Sequence, residues 1–330
     1  MAFKDTAVAT GTTNFDKTVQ AIIERKLSEE LRGSLVQLPP GAIVPASFKG
    51  KGSGGNGVFR FDRVEDLDAV PASHLLTEGV PPAGQTLDLG YEEFTAVQRG
   101  DFVRLSDLSD FESPHALANT AAEKIRRQMA AIIDARASQL WGAGANQLFA
   151  GSSNSATADV AAGDVMTSAL IKRAVATLEG ANVPRFGAGS NAGYVGLIHP
   201  NVKFDLTLDD DAGGWIDASR YGAPDQLFNG EIGKYAGVRF VVTTGTPVFG
   251  AAGTASIDVY QTTILGPSSM AFGDLATQEI IVERGGVSDP LHQQMTVGWK
   301  CFLDGMVVGE GSGNNQPEVR YVGIRSASSI

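Results

Sequence analysis

Residues 113–141 read SPHALANTAAEKIRRQMAAIIDARASQLW, and this stretch decides the architecture. Serine followed by proline is a strong helix start, because serine caps free N–H groups and proline fits the first helical position. Apolar residues then recur at helical spacing. They are Leu117, Ala121, Ala122, Ile125, Met129, Ile132, Ile133 and Leu140. The sequence predicts one helix of about 40 Å, far longer than usual and suited to the backbone of an extended molecule.

Basic side chains of this helix lie away from its apolar face. They are Lys124, Arg126, Arg127 and Arg136. Because cations at such positions point toward solvent or a partner, we expect them to be available for contacts between subunits.

The region before the helix, residues 34–112, predicts a long hairpin. Residues 58–63 alternate between apolar and polar side chains as a strand does. Residues 75–86 are rich in proline and glycine and predict a turn. Residues 91–107 again predict a strand, interrupted at Gly100. A strand out, a turn-rich tip and a strand back form an extended excursion.

Nearly all the net charge of the chain is concentrated in this excursion. Residues 62–112 hold twelve carboxylates and three arginines, whereas the whole chain has a net charge of −11. Two interpretations stay open: the carboxylates meet cations of a neighbouring subunit, or they are solvated on an exposed loop.

The N-terminal region predicts an arm and a helix. Residues 1–13 are small and polar, which is typical of a flexible arm. Residues 15–32 predict an amphipathic helix, which must bury one face. Its apolar residues are Phe15, Val19, Ile22, Ile23, Leu27 and Leu31. This face packs on the core of its own subunit or on a neighbouring subunit.

The region after the long helix mixes helices and strands without a regular alternation, which favours an α+β fold over a doubly wound sheet. The predicted helices span residues 165–179 and begin again after Pro200. The predicted strands lie at 194–198 and near 238–243, 257–265, 279–283, 296–308 and 318–326.

No motif predicts catalysis, a cofactor or a metal site. Residues 50–55, GKGSGG, match a dinucleotide-binding pattern, but they lead into a strand and not into the helix N-terminus that such a site needs. Asp209–Asp211 predict a solvated acidic loop, because Gly213 and Arg220 stand where a calcium loop needs ligands. Cys301 has no local partner, and the four histidines lack metal-ligand spacing. We expect a protein that is not an enzyme.

The composition adds three expectations. Charged residues make up 19% of the chain, below the ~25% of soluble domains, which indicates surface that another subunit covers. The net charge of −11 opposes binding to nucleic acid through phosphate neutralisation. The chain shows neither a signal peptide nor an apolar run of ~18 residues, so we expect a soluble intracellular product without a membrane span.

Four groups of residues, in this order and spacing, resemble the N-four-like family of tailed-bacteriophage major capsid proteins. The first group is Leu76, Thr77, Glu78, Gly79, Val80 and Pro81. The others are LIHP at 197–200, GEIG at 230–233 with GVRFV at 237–241, and DPL at 289–291 with TVGWK at 296–300. The resemblance spans roughly residues 60–310.

The resemblance implies the Hong Kong 97-type capsid fold: an N-terminal arm, an extended hairpin (the E-loop), a peripheral P-domain with a long spine helix, and an axial A-domain. The expected division follows the elements predicted above. It places the arm and first helix at 1–33, the E-loop region at 34–112, the spine helix segment at 113–163, the A-domain at 164–269 and a return to the P-domain at 270–330.

The resemblance also implies a function. We expect pentamers and hexamers that form an icosahedral head around double-stranded DNA, without sequence-specific DNA contacts, assembled in the host cytoplasm. Scaffold and decoration proteins are further expected partners. Leu76–Pro81 at the hairpin tip and the four cations of the long helix are the expected contacts between subunits. The alternatives are an encapsulin-like nanocompartment shell and a soluble α+β enzyme with an unrecognised site.

Overall fold

The structure is a computed structural model that describes residues 36–39, 42–45, 47–48, 58–64, 78–80, 89–106, 108–109, 117–187, 192–208, 231–284, 291, 293–308 and 319–330. The arm of residues 1–13, the helix of residues 15–32, the loop 50–55 and Asp209–Asp211 lie outside the described residues. Among the described residues, no helix has both the length and the hydropathy required to cross a membrane.

The predicted long helix is present as α1, Leu117–Ala143. Ile125, Met129 and Ile133 are fully buried along its apolar face, as the spacing predicts, and Trp141 is buried as well. The expected start at Ser113 lies outside the described residues. The helix runs two residues beyond Trp141.

A four-stranded sheet packs on α1. Its strands are β1 (Ile43–Pro45), β5 (Val97–Ser106), β12 (Met270–Arg284) and β13 (Gln294–Val307). Their order is β1-β12-β13-β5, which places β5 at one edge. Every second residue of β13, from Val297 to Leu303, is buried in the same core cluster as the apolar face of α1.

Strand β12 is longer than predicted. The sequence indicated a strand only at 279–283, whereas β12 begins at Met270. Its pairing with β13 shifts register between Asp274 and Glu279. This irregularity breaks the period-2 pattern, so the first half of the strand was missed.

The predicted hairpin forms a separate three-stranded sheet. It contains β2 (Ser47–Phe48), β3 (Val58–Val64) and β4 (Leu89–Thr95), and β3 pairs with β4 from Val58 opposite Thr95 to Val64 opposite Leu89. The chain then passes through the buried Ala96 into β5.

The interruption predicted at Gly100 is wrong, because the break lies at Ala96. Gly100 continues β5 opposite Lys300. A Cβ atom at Gly100 would lie 2.6 Å from the Trp299 carbonyl oxygen. Glycine therefore permits a close approach of two strands at this position and does not end one of them.

A seven-stranded sheet carries the second core. Its strands are β6 (Gln147–Phe149), β7 (Tyr194–Ile198), β8 (Glu231–Tyr235), β9 (Val238–Val242), β10 (Val248–Phe249), β11 (Val259–Leu265) and β14 (Tyr321–Ser326). The order is β6-β14-β11-β7-β9-β8, and β10 pairs with β11. The predicted strands at 194–198, 238–243 and 257–265 are confirmed, with small differences at their ends.

Two helices accompany this sheet, α2 (Ser168–Gly180) and α3 (Pro200–Leu208). Helix α2 begins three residues after the predicted start, because Val165 forms a bridge with Ala327. Strand β14 also pairs within this sheet, next to β11. The expected return segment 270–330 is therefore divided between the two larger sheets.

The C-terminal end of α1 connects the two larger sheets. The side-chain amide of Gln261 on β11 donates to the Trp141 carbonyl (2.8 Å), and Arg325 on β14 donates to the Gly142 carbonyl (2.8 Å). The last carbonyls of a helix lack partners within the helix. The second sheet provides partners for two of them.

Candidate inter-subunit surface

The described residues contain no group of three or more His, Cys, Asp or Glu side chains that could hold a metal ion. Cys301 is buried in the core beneath α1.

His199, from the LIHP motif, has a structural position. Its ring lies 4.8 Å from the Tyr260 ring, and its Nδ1 atom accepts a hydrogen bond from the Asn201 N–H (3.2 Å). Pro200 occupies the first position of α3, so the histidine side chain caps the helix. Burial lowers the pKa of His199.

The edge strand β5 exposes large apolar side chains. Phe102 is 58% exposed and Val97 is 48% exposed. Within the described residues, β5 pairs with β13 on one side only. An open edge with exposed apolar side chains is a template for association with another chain.

A second exposed apolar side chain lies in line with Phe102 across the sheet. Phe102, Gly298 and Ile281 lie opposite one another on β5, β13 and β12. Ile281 is also exposed, and a side chain at Gly298 would press on Phe102. We call the row Phe102–Gly298–Ile281 the outer apolar row. Gly298 itself is buried between the two exposed side chains.

The root of the hairpin is fixed to the four-stranded sheet. The rings of Phe59 and Phe94 stack with centroids 5.3 Å apart. Phe59 is buried against Gly273 of β12. A Cβ atom at Gly273 would lie only 2.5 Å from the Phe59 ring. Further out, the Arg60 guanidinium lies 4.1 Å from the centroid of the exposed Tyr91 ring.

Part of the predicted tip motif is described. Glu78, Gly79 and Val80 are exposed, and Gly79 has a φ of +79°, which favours glycine. Leu76, Thr77 and Pro81 lie outside the described residues. Contact of this motif with another subunit stays a prediction.

The four predicted cations of α1 differ in their surroundings. Lys124 and Arg127 are exposed, whereas Arg126 is partly buried. Arg136 is paired inside its own subunit: its Nε and Nη2 atoms donate to the two carboxylate oxygens of Asp304 (2.9 and 3.2 Å). Arg136 is therefore a weaker candidate for contacts between subunits than Lys124 and Arg127.

Asp304 is a buried charged residue that the sequence does not single out. It is buried on β13, accepts from Arg136 on α1, and lies 3.8 Å from the guanidinium of Arg99 on β5. It thereby connects the spine helix to the edge strand that begins at the hairpin. The sequence carries no local signal for this pair, because 168 residues separate its members.

One carboxylate of the acidic excursion faces its own subunit. Asp101 on β5 accepts a hydrogen bond from the side-chain amide of Gln128 on α1. The carboxylates of the excursion therefore do not all face away from the subunit. Those on β5 belong to the four-stranded sheet that supports the hairpin.

The comparisons with known proteins agree with this arrangement. Residues 100–306 match the phage capsid protein family. No curated protein matches the sequence. The assignment to the N-four-like branch of capsid proteins stays a prediction.

Solved capsid structures are similar over most of the chain. The capsid of Ralstonia phage GP4 is 15% identical, with a TM-score of 0.64 and coverage of 89% of this chain and 87% of that chain. The capsid asymmetric unit of cyanophage Pam1 is 14% identical, with a TM-score of 0.65 and coverage of 83% and 85%. The acid-stable capsid structure of Helicobacter pylori bacteriophage KHP30 is 12% identical, with a TM-score of 0.63 and coverage of 89% and 90%.

These similarities confirm the Hong Kong 97-type fold. The family match spans more than half of the sequence and favours a phage capsid over the encapsulin-like and enzyme alternatives. This chain belongs to the phage capsid protein family.

Proposed function

We propose that this protein is the subunit from which a phage head is built, through pentamers and hexamers that close into an icosahedral shell around double-stranded DNA. Family membership supports the structural role. The observation that carries the proposal is the open edge of the four-stranded sheet, with Phe102 exposed on it. No reaction is part of this role.

Shell assembly does not need any single strong contact. Each subunit in a closed shell repeats the same contacts with its neighbours, so moderate interfaces add up through multivalency. The outer apolar row and the exposed part of the hairpin are separate surfaces on one subunit. Two such surfaces allow each subunit to bind more than one neighbour.

The proposed role includes DNA only as packaged content. A net charge of −11 disfavours tight binding to phosphates. We therefore propose no sequence-specific contact and a non-specific Kd weaker than about 10⁻⁶ M at physiological salt. A gel-shift titration with double-stranded DNA measures this affinity, and sub-micromolar affinity contradicts the proposal.

Scaffold and decoration proteins are further proposed partners of the shell.

The main experiment is assembly of a Phe102→Ser variant, followed by electron microscopy and light scattering. The matched control is Phe204→Ser on α3, since Phe204 is also a half-exposed phenylalanine but lies beside the other sheet. Both changes are at the surface and should alter the free energy of unfolding by less than about 0.5 kcal/mol.

The wild type and Phe204→Ser should form closed shells, with scaffold protein supplied if the wild type requires it. Phe102→Ser should remain largely as unassembled subunits. Compact monomers of the wild type at micromolar concentration contradict the shell. Normal shells of Phe102→Ser contradict the assignment of the β5 edge.

A further inference from the structure

The four-stranded sheet has a second open edge, on the side opposite β5. Strand β1 pairs with β12 only from Met270 to Phe272. Among the described residues, no strand pairs with the side of residues 279–284 that faces away from β13. In this part of the sheet, β12, β13 and β5 therefore form three strands whose two outer edges both present backbone N–H and C=O groups to another chain.

Both edges carry exposed side chains on both faces of the sheet. Val282 and Glu283 are consecutive on β12 and are both exposed, as are Val103 and Arg104 on β5. Successive residues of a strand point to opposite faces. The described part of the subunit thus leaves both faces uncovered at either edge, and each edge exposes an apolar side chain.

The two edges carry opposite charges at matching positions. Arg104 on β5 and Glu283 on β12 both lie opposite Thr296 of β13, one on each side of it. In the adjacent row, Val103 and Val282 lie on either side of Val297 in the same way. One edge is thus complementary in charge to the other, and both offer a valine beside the charged residue.

The direction of the strands fits a contact between these edges. β5 and β12 run in the same direction, since each is antiparallel to β13. When a second copy lies beside β5 without reversal of its sheet, its β12 becomes a parallel neighbour of β5. If the rows of the sheet continue across the contact, Arg104 lies beside Glu283 of the second copy, and Val103 lies beside Val282 of the second copy.

We propose that β5 of one subunit pairs with residues 279–284 of β12 in a second copy, so that the sheet continues from one subunit into the next. This inference rests on the proposed shell and names the partner of the β5 edge within it. The backbone ladder supplies the hydrogen bonds, and the charge pair favours one register. The contact is heterologous, so each subunit binds one neighbour through β5 and another through β12.

Disulfide formation in the purified full-length protein tests the pairing. In the double variant Val103→Cys/Val282→Cys, the two sites of one chain lie two strands apart, which separates them by about 10 Å. A disulfide reaches only about 7 Å between Cα atoms. Oxidation can therefore link these two sites between chains but not within one. The native Cys301 is buried and should not react.

Covalent dimers and larger multimers are expected on a non-reducing denaturing gel. Their yield should be at least fivefold higher than in the matched control Val97→Cys/Val282→Cys. Val97 is exposed as well, but it lies about 20 Å further along β5. Equal yields in the two pairs overturn the proposal. Dimers of the single variant Val103→Cys indicate a symmetric contact between two β5 strands and overturn it too.

Charge reversal gives an independent measurement. Arg104→Glu places two glutamates at the contact and Glu283→Arg places two arginines there, so each variant alone should form at least fivefold fewer shells than the wild type. Both positions are exposed, and folding should be unaffected. In an equimolar mixture, the glutamates of one variant meet the arginines of the other, and assembly should be restored. A mixture that assembles no better than the separate variants contradicts the pairing.

Electron microscopy of the wild type separates this inference from the proposed function. Wild-type shells, together with a double variant that forms no multimers, overturn the pairing alone. A wild type that remains monomeric, with scaffold protein supplied, overturns both.

Discussion

The two larger sheets of this subunit differ in how completely the subunit covers them. In β14 only Arg325 is partly exposed, and in β11 only Tyr260 is. In β5, by contrast, most residues are exposed on both faces. The central strands β11 and β14 of the seven-stranded sheet are covered within one chain, whereas the edge strand β5 of the four-stranded sheet is exposed. If assembly uses the β5 edge as proposed, substitutions in these two regions should separate stability from assembly.

The largest expected effect is at Trp141, which joins the two regions. It is fully buried, its ring lies 5.4 Å from the Tyr321 ring of β14, and its indole donates to Gln37. Trp141→Ala should lower the free energy of unfolding by about 3–5 kcal/mol. Trp141→Phe keeps an aromatic ring but loses the hydrogen bond. It should lower the free energy of unfolding by about 1 kcal/mol relative to the wild type. Urea denaturation of unassembled subunits measures the free energy of unfolding of both variants. Small and equal losses in Trp141→Ala and Trp141→Phe contradict the connecting role of Trp141.

A smaller loss of unfolding free energy is expected at Asp304. This residue lies in the four-stranded sheet but is itself buried. Asp304→Asn leaves the partly buried Arg136 and Arg99 without a carboxylate, so unfolding should be easier by about 1–3 kcal/mol. The control is Glu179→Gln, which breaks the half-exposed pair with Arg185. Such a pair is worth about 0–1 kcal/mol. Equal losses of unfolding free energy in Asp304→Asn and Glu179→Gln contradict the larger contribution expected of the buried pair.

Asp134 should give a pH-dependent effect. Burial raises the pKa of its carboxyl group, against the hydrogen bonds from the Gln37 and Val36 N–H groups. Between the ordinary pKa of 3.8 and the higher folded value, the folded state holds a proton that the unfolded state has lost. The contribution of Asp134 to stability therefore falls as pH rises through this window.

Asp134→Asn keeps one acceptor oxygen, which can accept from the Gln37 N–H, and removes the charge. The difference in unfolding free energy between variant and wild type should shift in favour of the variant as pH rises above 3.8 and should level off once Asp134 is ionised in both states. Denaturant titrations at several pH values measure the difference. A difference that is constant with pH contradicts the raised pKa.

The smallest effect on stability, but not on assembly, is expected at the hairpin tip. Replacing residues 70–88 with a short glycine bridge should leave unfolding unchanged, because the described part of the tip is exposed. The shortened subunit should no longer close shells, since the hairpin is proposed to lie over a neighbouring subunit and meet cations such as Lys124 and Arg127. Normal shells would mean that its carboxylates are simply solvated.

Local periodicity explains why much of the fold could be predicted. The apolar spacing in α1 and the alternation in β3 depend on neighbouring residues alone, and both elements are confirmed. Gly100 was misread because its role depends on Trp299, nearly 200 residues away. The first half of β12 was missed because irregular pairing with β13 hides its period.

The candidate surface was less accessible to sequence reasoning. The exposure of Phe102 follows from the strand order, in which β5 is an edge, and no local pattern distinguishes an edge strand from a central one. Likewise, Arg136 looks like a surface cation on a helical projection. Only the fold brings Asp304 within hydrogen-bond distance of it.

The passage from β4 through Ala96 into β5 has a mechanical consequence. β5 is held to β13 by ten consecutive residue pairs, from Ser106 opposite Gln294 to Val97 opposite Leu303. Tension on the hairpin that follows the chain enters this ladder along the strand. It then loads the pairs in shear, all at once, instead of unzipping them one after another. If the hairpin binds a neighbouring subunit as proposed, internal pressure in a head would load the β5–β13 pairs in shear.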